Sequence, residues 1–274
     1  MKLLRGVALF FVSAVGIVPL PRSASAQIAV LDRTLQQHVA RPGQTYAGTI
    51  VVTNTTDAPQ EAKLYHTDYL FYADGRSLFD EPGTVPRSNA RWITINPSFI
   101  TIAPRSQATV TYEVHVPADA DPPLSGSYWS VVMVEAVPPG SAESAKAAEQ
   151  RPGVAITTRV RYGVQIVTHV EGTGESRLDF AQPRFSVDEA GAAHLEFDIL
   201  NVGERSSPLD VTVELYDATG QRVAGFEDTV RILHPGTSVR KRFRLGALPA
   251  GTYEALVAAD TGAEIFGAQY TLRF

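Results

Sequence analysis

Apolar and polar residues alternate with period two along most of this chain, and one stretch does so at unusual length. From Val154 through Ile156, Thr158, Val160, Tyr162, Val164, Ile166 and Thr168 to Val170, every second position is apolar or a threonine, while Arg159, Arg161, Gln165 and His169 fall between them. Period two marks a strand with one apolar and one mostly polar face. Such a strand would extend roughly 55 Å at about 3.3 Å per residue, whereas an ordinary strand has about 5 to 6 residues. One small domain cannot pair all of it. Part of it must bridge to a second domain or offer a free edge, and a free apolar edge invites pairing with another chain.

Shorter alternating runs fill the rest. Residues 28–34 read as a first strand, Pro42-Gly43 turns the chain into a second over 46–53, and Asn54-Thr55-Thr56-Asp57-Ala58-Pro59 is turn chemistry. Alternation resumes at Ala62, Leu64 and His66 and continues to Phe71, where Ala73-Asp74-Gly75-Arg76 stops it; a polar, proline-marked loop is expected from there to Arg91. Further strands are expected over 92–95, 99–102, 108–116 and 127–137. About seven or eight short strands with turn signals at this spacing predict a β-sandwich. Residues 140–151 carry no apolar stripe and read as a mobile loop between neighbouring strands.

Beyond Gly172-Thr173-Gly174 a second series is expected over 178–185, 193–200, 209–216, 229–233, 239–245, 252–259 and 264–274. It echoes the first. Ile102-Ala103-Pro104 is matched by Leu233-His234-Pro235, Gly126-Ser127-Tyr128 by Gly251-Thr252-Tyr253, and Val52-Thr53-Asn54 by Ile199-Leu200-Asn201. Three echoes in one order imply two similar domains. The expected fold class is all-β, with two tandem immunoglobulin-like β-sandwich domains over 27–171 and 172–274. A tyrosine entering the penultimate strand of a sandwich often bonds back to the corner it leaves, which gives Tyr128 and Tyr253 a structural role. The alternating end at Tyr270, Leu272 and Phe274 resembles a barrel strand, but the other strands are too short and proline-interrupted for a lipid-facing wall.

Composition gives the address. Lys2 and Arg5, an apolar run from Gly6 to Leu20 and the small-residue site Ala24-Ser25-Ala26 have the form of a secretory signal cleaved after Ala26. Nothing after Gln27 approaches the roughly 20 apolar residues a membrane-spanning helix needs. The mature product is therefore expected to be exported and soluble, without a transmembrane segment. It contains no cysteine, so neither disulfide nor thiolate chemistry is available. A net charge of -5 with scattered signs argues against nucleic-acid binding, which needs a concentrated basic patch.

No catalytic constellation is evident. The six histidines are far apart in sequence with no metal-type spacing, no nucleophile elbow occurs, and Gly172-Thr173-Gly174 lacks the following helix of a phosphate loop. Asp119 and Asp121 sit among prolines in what reads as an exposed turn rather than a calcium loop. The expectation is a binding protein, not an enzyme, with no metal and no cofactor.

Two sandwiches behind a signal, with a very long strand leading out of the first, resemble the periplasmic pilus-assembly chaperones of the chaperone/usher pathway. Residues 30–34 (Val-Leu-Asp-Arg-Thr) are similar to that family's first strand, 50–54 to its second, 127–139 to the strand before its mobile loop and 154–167 to the strand after it. The resemblance implies an arginine on the first strand and a basic residue on the long strand that hold a subunit's C-terminal carboxylate. Arg33 and Arg161 fall at those places. It also implies strand pairing with the partner along Val154, Ile156, Thr158 and Val160. Partners would be pilin-like or other secreted protein subunits, with an outer-membrane usher beside them. Pro152-Gly153, Thr158 and the long excursion over 74–91 depart from the pattern. The residues themselves leave plainer readings open: charges on an edge strand prevent aggregation, and Val154 and Ile156 suit any sandwich core. A second resemblance, in Pro42-Gly43, Asn54, Trp92, Pro117, Gly126 and Tyr128, is to the two-domain cell-surface proteins that bind WxL-type proteins and peptidoglycan. It implies an envelope scaffold or adhesion role.

Overall fold

The computed structural model describes residues 27–31, 33–138, 141–144 and 160–273. The expected signal, most of the loop expected over 140–151, and Val154, Ile156, Thr158 and Arg159 lie outside them. Apart from one 3-10 turn at Ala90–Trp92, every regular element described is a strand. The fold is all-β.

Among the described residues ten strands precede Gly172: β1 (Ile28–Val30), β2 (Leu35–Ala40), β3 (Thr45–Asn54), β4 (Gln60–Phe71), β5 (Ser77–Asp80), β6 (Ile93–Asn96), β7 (Phe99–Ile102), β8 (Gln107–His115), β9 (Ser127–Val137) and β10 (Arg161–Val170). They form one sheet in the order β1-β3-β8-β6 and another in the order β2-β10-β9-β4-β5, with β7 on β4. Alternation puts the sheets face to face. In β8, Val110, Tyr112 and Val114 are buried while Thr111, Glu113 and His115 are exposed. Opposite them Leu64, Val132, Val134, Val164 and Ile166 complete the first core. Each such side chain contributes about 1.5–3 kcal/mol by leaving water.

Seven strands follow: β11 (Leu178–Val187), β12 (Ala193–Asn201), β13 (Ser207–Asp217), β14 (Arg222–Leu233), β15 (Ser238–Gly246), β16 (Thr252–Asp260) and β17 (Ile265–Arg273). Their sheets, β11-β12-β15 and β14-β13-β16-β17, enclose a core of Leu195, Phe197, Val211, Val213, Phe243 and Val257. Among the described residues, no ladder joins the first ten strands to the last seven. The two series are separate immunoglobulin-like sandwiches.

The echoes have a physical cause. Buried Asn54 donates from Nδ2 to the carbonyls of Ala58 (2.8 Å) and Ile102 (3.1 Å) and accepts from the Thr56 amide. Asn201 does the same with Arg205 (2.7 Å), Leu233 (2.9 Å) and the Gly203 amide. In each sandwich one asparagine ties its own turn to the residue before the matching proline turn. Tyr253 bonds back to the Pro249 carbonyl at 3.0 Å as a corner tyrosine. Tyr128 instead packs against Trp92, with the Arg87 guanidinium over its ring.

Three expectations change. The first strand is not continuous over 28–34: β1 pairs with β3 in one sheet, and after Leu31 the chain crosses to the other, where β2 runs parallel to β10. Alternation alone does not tell which sheet a strand joins, and sandwich corners are made by strands that switch. The expected loop over 76–91 contains β5, which completes a hairpin with β4. Strand β14 begins at Arg222, well before 229, because half of its side chains face solvent and mask the pattern.

Candidate functional site

In β10, Val164 and Ile166 belong to the first core, so Arg161, Gly163, Gln165, Val167 and His169 face outward. The C-terminal part of this outer face docks on the second sandwich. Val167 is buried there with Leu35, Trp129 and Ile232, and Leu70 packs beside them. Arg161, at the N-terminal end, remains half exposed.

The two neighbours of β10 do not cover it equally. The ladder with β9 spans Arg161 to His169, whereas the parallel ladder with β2 begins only at Gln165, opposite Leu35. The Gln165 amide donates toward that side, to the Thr34 carbonyl at 2.8 Å. Backbone groups alternate along a strand, so those of Gly163 and Arg161 point the same way. No described residue bonds them there. The Val160 carbonyl, on the opposite side, accepts from the Ala136 amide at 3.3 Å. Val160 is thus tied to its own sheet and half-buried. The other residues expected to pair with a partner, Val154, Ile156 and Thr158, lie outside the described residues.

Arg33 lies in the crossing between β1 and β2 and is exposed, two residues before Leu35. Arg161 is four residues before Gln165, Leu35's partner. The two expected carboxylate ligands therefore belong to neighbouring segments beside a stretch of β10 that no described residue pairs on that side. Arg161 already has a carboxylate. Its Nε lies 2.8 Å from Oε2 of Glu135, directly across the β9–β10 ladder. Lys63, across the other side of β9, is 3.9 Å from Oε1, and the Tyr65 hydroxyl donates to Oε2 at 2.9 Å. Burial pushes the Glu135 carboxyl up, but the Tyr65 hydroxyl, Lys63 and Arg161 together outweigh it and hold it below its ordinary value. Lys63 also binds Glu143 at 2.8 Å.

Sequence reasoning missed Glu135, Lys63 and Tyr65. The one available signal was a charged residue inside the apolar run 131–137, which a buried position tolerates only with partners.

Among the described residues two serine–histidine contacts occur, Ser127–His169 and Ser206–His234, each at 2.8 Å. Neither is a nucleophile pair. The serines are buried, and the far nitrogen of each imidazole meets a glutamine, Gln37 or Gln165, rather than a carboxylate. Among the described residues no group of three or more metal-type side chains converges.

No protein family matches the chain in sequence, and no curated protein does. Solved structures do. The class 5 fimbriae chaperone CfaA aligns with 89% of this chain and 98% of its own at 11% identity and a TM-score of 0.46. The chaperone YadV aligns over 90% and 100% at 13% and 0.44, and the E. coli chaperone DraB over 90% and 98% at 12% and 0.42. The chain is similar to these three chaperones along most of its length.

Proposed function

We propose that this chain is a periplasmic, chaperone-like protein that holds pilin-like or other secreted subunits by strand pairing, without catalysis, and that residues 27–171 and 172–274 are its two domains. The open edge of β10 carries this reading. An extended segment of a partner laid beside Arg161 and Gly163 satisfies their backbone groups and occupies the place that β2 fills further along. Val154, Ile156 and Thr158, earlier in the chain, are proposed to pair with the same partner segment. Arg33 and Arg161 then take the terminal carboxylate of the partner segment. When Arg161 turns to that carboxylate, Glu135 keeps Lys63 and Tyr65, so no buried charge is left alone. Cleavage after Ala26 delivers the protein to the periplasm, where an outer-membrane usher would receive the subunit.

The test uses synthetic peptides of alternating apolar sequence carrying either a free C-terminal carboxylate or an amide, with affinity read by fluorescence anisotropy. A hydrogen bond to a charged group contributes about 1.5–3 kcal/mol, so the free acid should bind about 10- to 150-fold more tightly. Arg33→Ala and Arg161→Ala should each reduce that preference. Equal affinity for acid and amide would remove the arginines from the site. Absence of binding by either peptide would remove strand pairing as well.

A further inference from the structure

One continuous polar chain crosses the contact between the sandwiches beside the apolar cluster of Leu35, Trp129, Val167 and Ile232. His234, between β14 and β15, is fully buried, stacked on the Trp129 indole at 4.4 Å and 5° and edge-on to Phe71 at 6.1 Å. Its Nδ1 lies 2.8 Å from Ser206 Oγ and its Nε2 2.9 Å from Gln165 Oε1. The Ser206 amide donates to Ser127 Oγ at 2.8 Å, which in turn lies 2.8 Å from His169 Nδ1. His169 Nε2 is 3.0 Å from Gln37 Oε1. These contacts fix the protons. A glutamine oxygen only accepts, so each Nε2 donates; each Nδ1 then accepts from a serine hydroxyl. The chain is fully satisfied with both rings neutral. A proton on either Nδ1 faces a hydroxyl that is already donating, and that hydroxyl's own hydrogen loses its acceptor.

We propose that this chain, Gln165–His234–Ser206–Ser127–His169–Gln37, is an acid-sensitive latch that holds the two sandwiches together while both imidazoles are neutral and releases them on protonation. Glu171, Glu175 and Glu264 line the cavity beside His169 without bonding its ring. Arg205 lies beside His169, with its Nη1 on the Thr173 carbonyl, and Arg231 of β14 reaches Thr34 Oγ1. Glu204 is held by Arg87 and Ser125, Glu171 by Arg41, and Asp68 of β4 by the amides of Thr84 and Val85 and by Ser88. Arg33 precedes β2 and is exposed. Among the described residues no carboxylate bonds either ring.

Burial, and then His169, pull His234 down to about 3; burial, and then Arg205, pull His169 down to about 4. The sign follows. Both values lie below the ordinary 6.5, so the latch is complete above about pH 6.5 and weakens as pH falls through the window down to 4 and then 3. At pH 5.5 each ring favours the open form roughly tenfold, and the two together about 100-fold.

Amide hydrogen exchange on the full-length mature chain tests this, since the Ser127 amide donates to the Glu204 carbonyl and the Ser206 amide to Ser127 Oγ, both across the contact. Their protection, corrected for intrinsic rates, should fall about 100-fold between pH 7.5 and 5.5, and about tenfold in His169→Gln or His234→Gln. Protection that does not change with pH overturns the latch. So does an equal fall at Val132 and Val213 inside the sandwiches, and so does a full 100-fold fall in both glutamine variants.

Discussion

Gly126 shows how much a single residue carries at the junction. It enters β9 with φ of +73°, and a Cβ there would lie 2.2 Å from the Glu204 carbonyl oxygen, the acceptor of the Ser127 amide. An added methyl therefore meets both an unfavourable backbone region and a fixed peptide from the second sandwich. Gly126→Ala should destabilise the protein by about 1–3 kcal/mol from backbone strain alone, with steric displacement adding to it. Chemical denaturation measures this, and a loss under 0.5 kcal/mol would show that the two segments separate easily. Sequence marked this glycine as half of an echo and as part of the second resemblance, not as a contact with the other sandwich. It also marked Asn54 and Asn201, whose side-chain bonds explain why the two series agree in order. Glu135 showed only as a charge within an apolar run, because its role depends on Lys63 and Arg161, 72 residues before it and 26 after it in the chain, meeting across one strand.

At the scale of elements, the period-two pattern was legible wherever one face is buried and the other is wet, as in β8 and β16. It failed where the burial contrast was weak, as in β5 and β14, and it could not foresee that the first strand divides between sheets. That division bears on the proposed function, because β2 starts late and no described residue pairs the first part of β10 on that side. A measurable alternation follows. Tyr162 and Val164 face β9 and are bonded there, whereas Arg161 and Gly163 face the open side. In the free protein the amides of Arg161 and Gly163 should exchange much faster than those of Tyr162 and Val164, and a bound free-acid peptide should slow the first pair while leaving the second unchanged. Uniform protection along 161–164 would mean that the edge is already closed.

For the whole molecule, the sequence indicated two sandwiches but not how they meet, because the residues at the contact read as ordinary parts of their own strands. Ile232 and Leu233 illustrate this: adjacent in β14, Leu233 lies in the second core while Ile232 is buried in the cluster with Leu35, Trp129 and Val167 from the first sandwich. Ile232 therefore stabilises the contact and not the core of its own domain. Truncating a buried isoleucine to alanine costs about 2–5 kcal/mol, and here that loss should fall on the coupling between domains. In calorimetry at neutral pH the intact protein should melt in one transition and Ile232→Ala in two, each near the stability of an isolated sandwich, because domains joined by a weakened contact unfold independently. A single transition at a lower temperature would place Ile232 energetically inside the second core, and the contact between the sandwiches would then depend on Trp129, His234 and the polar chain.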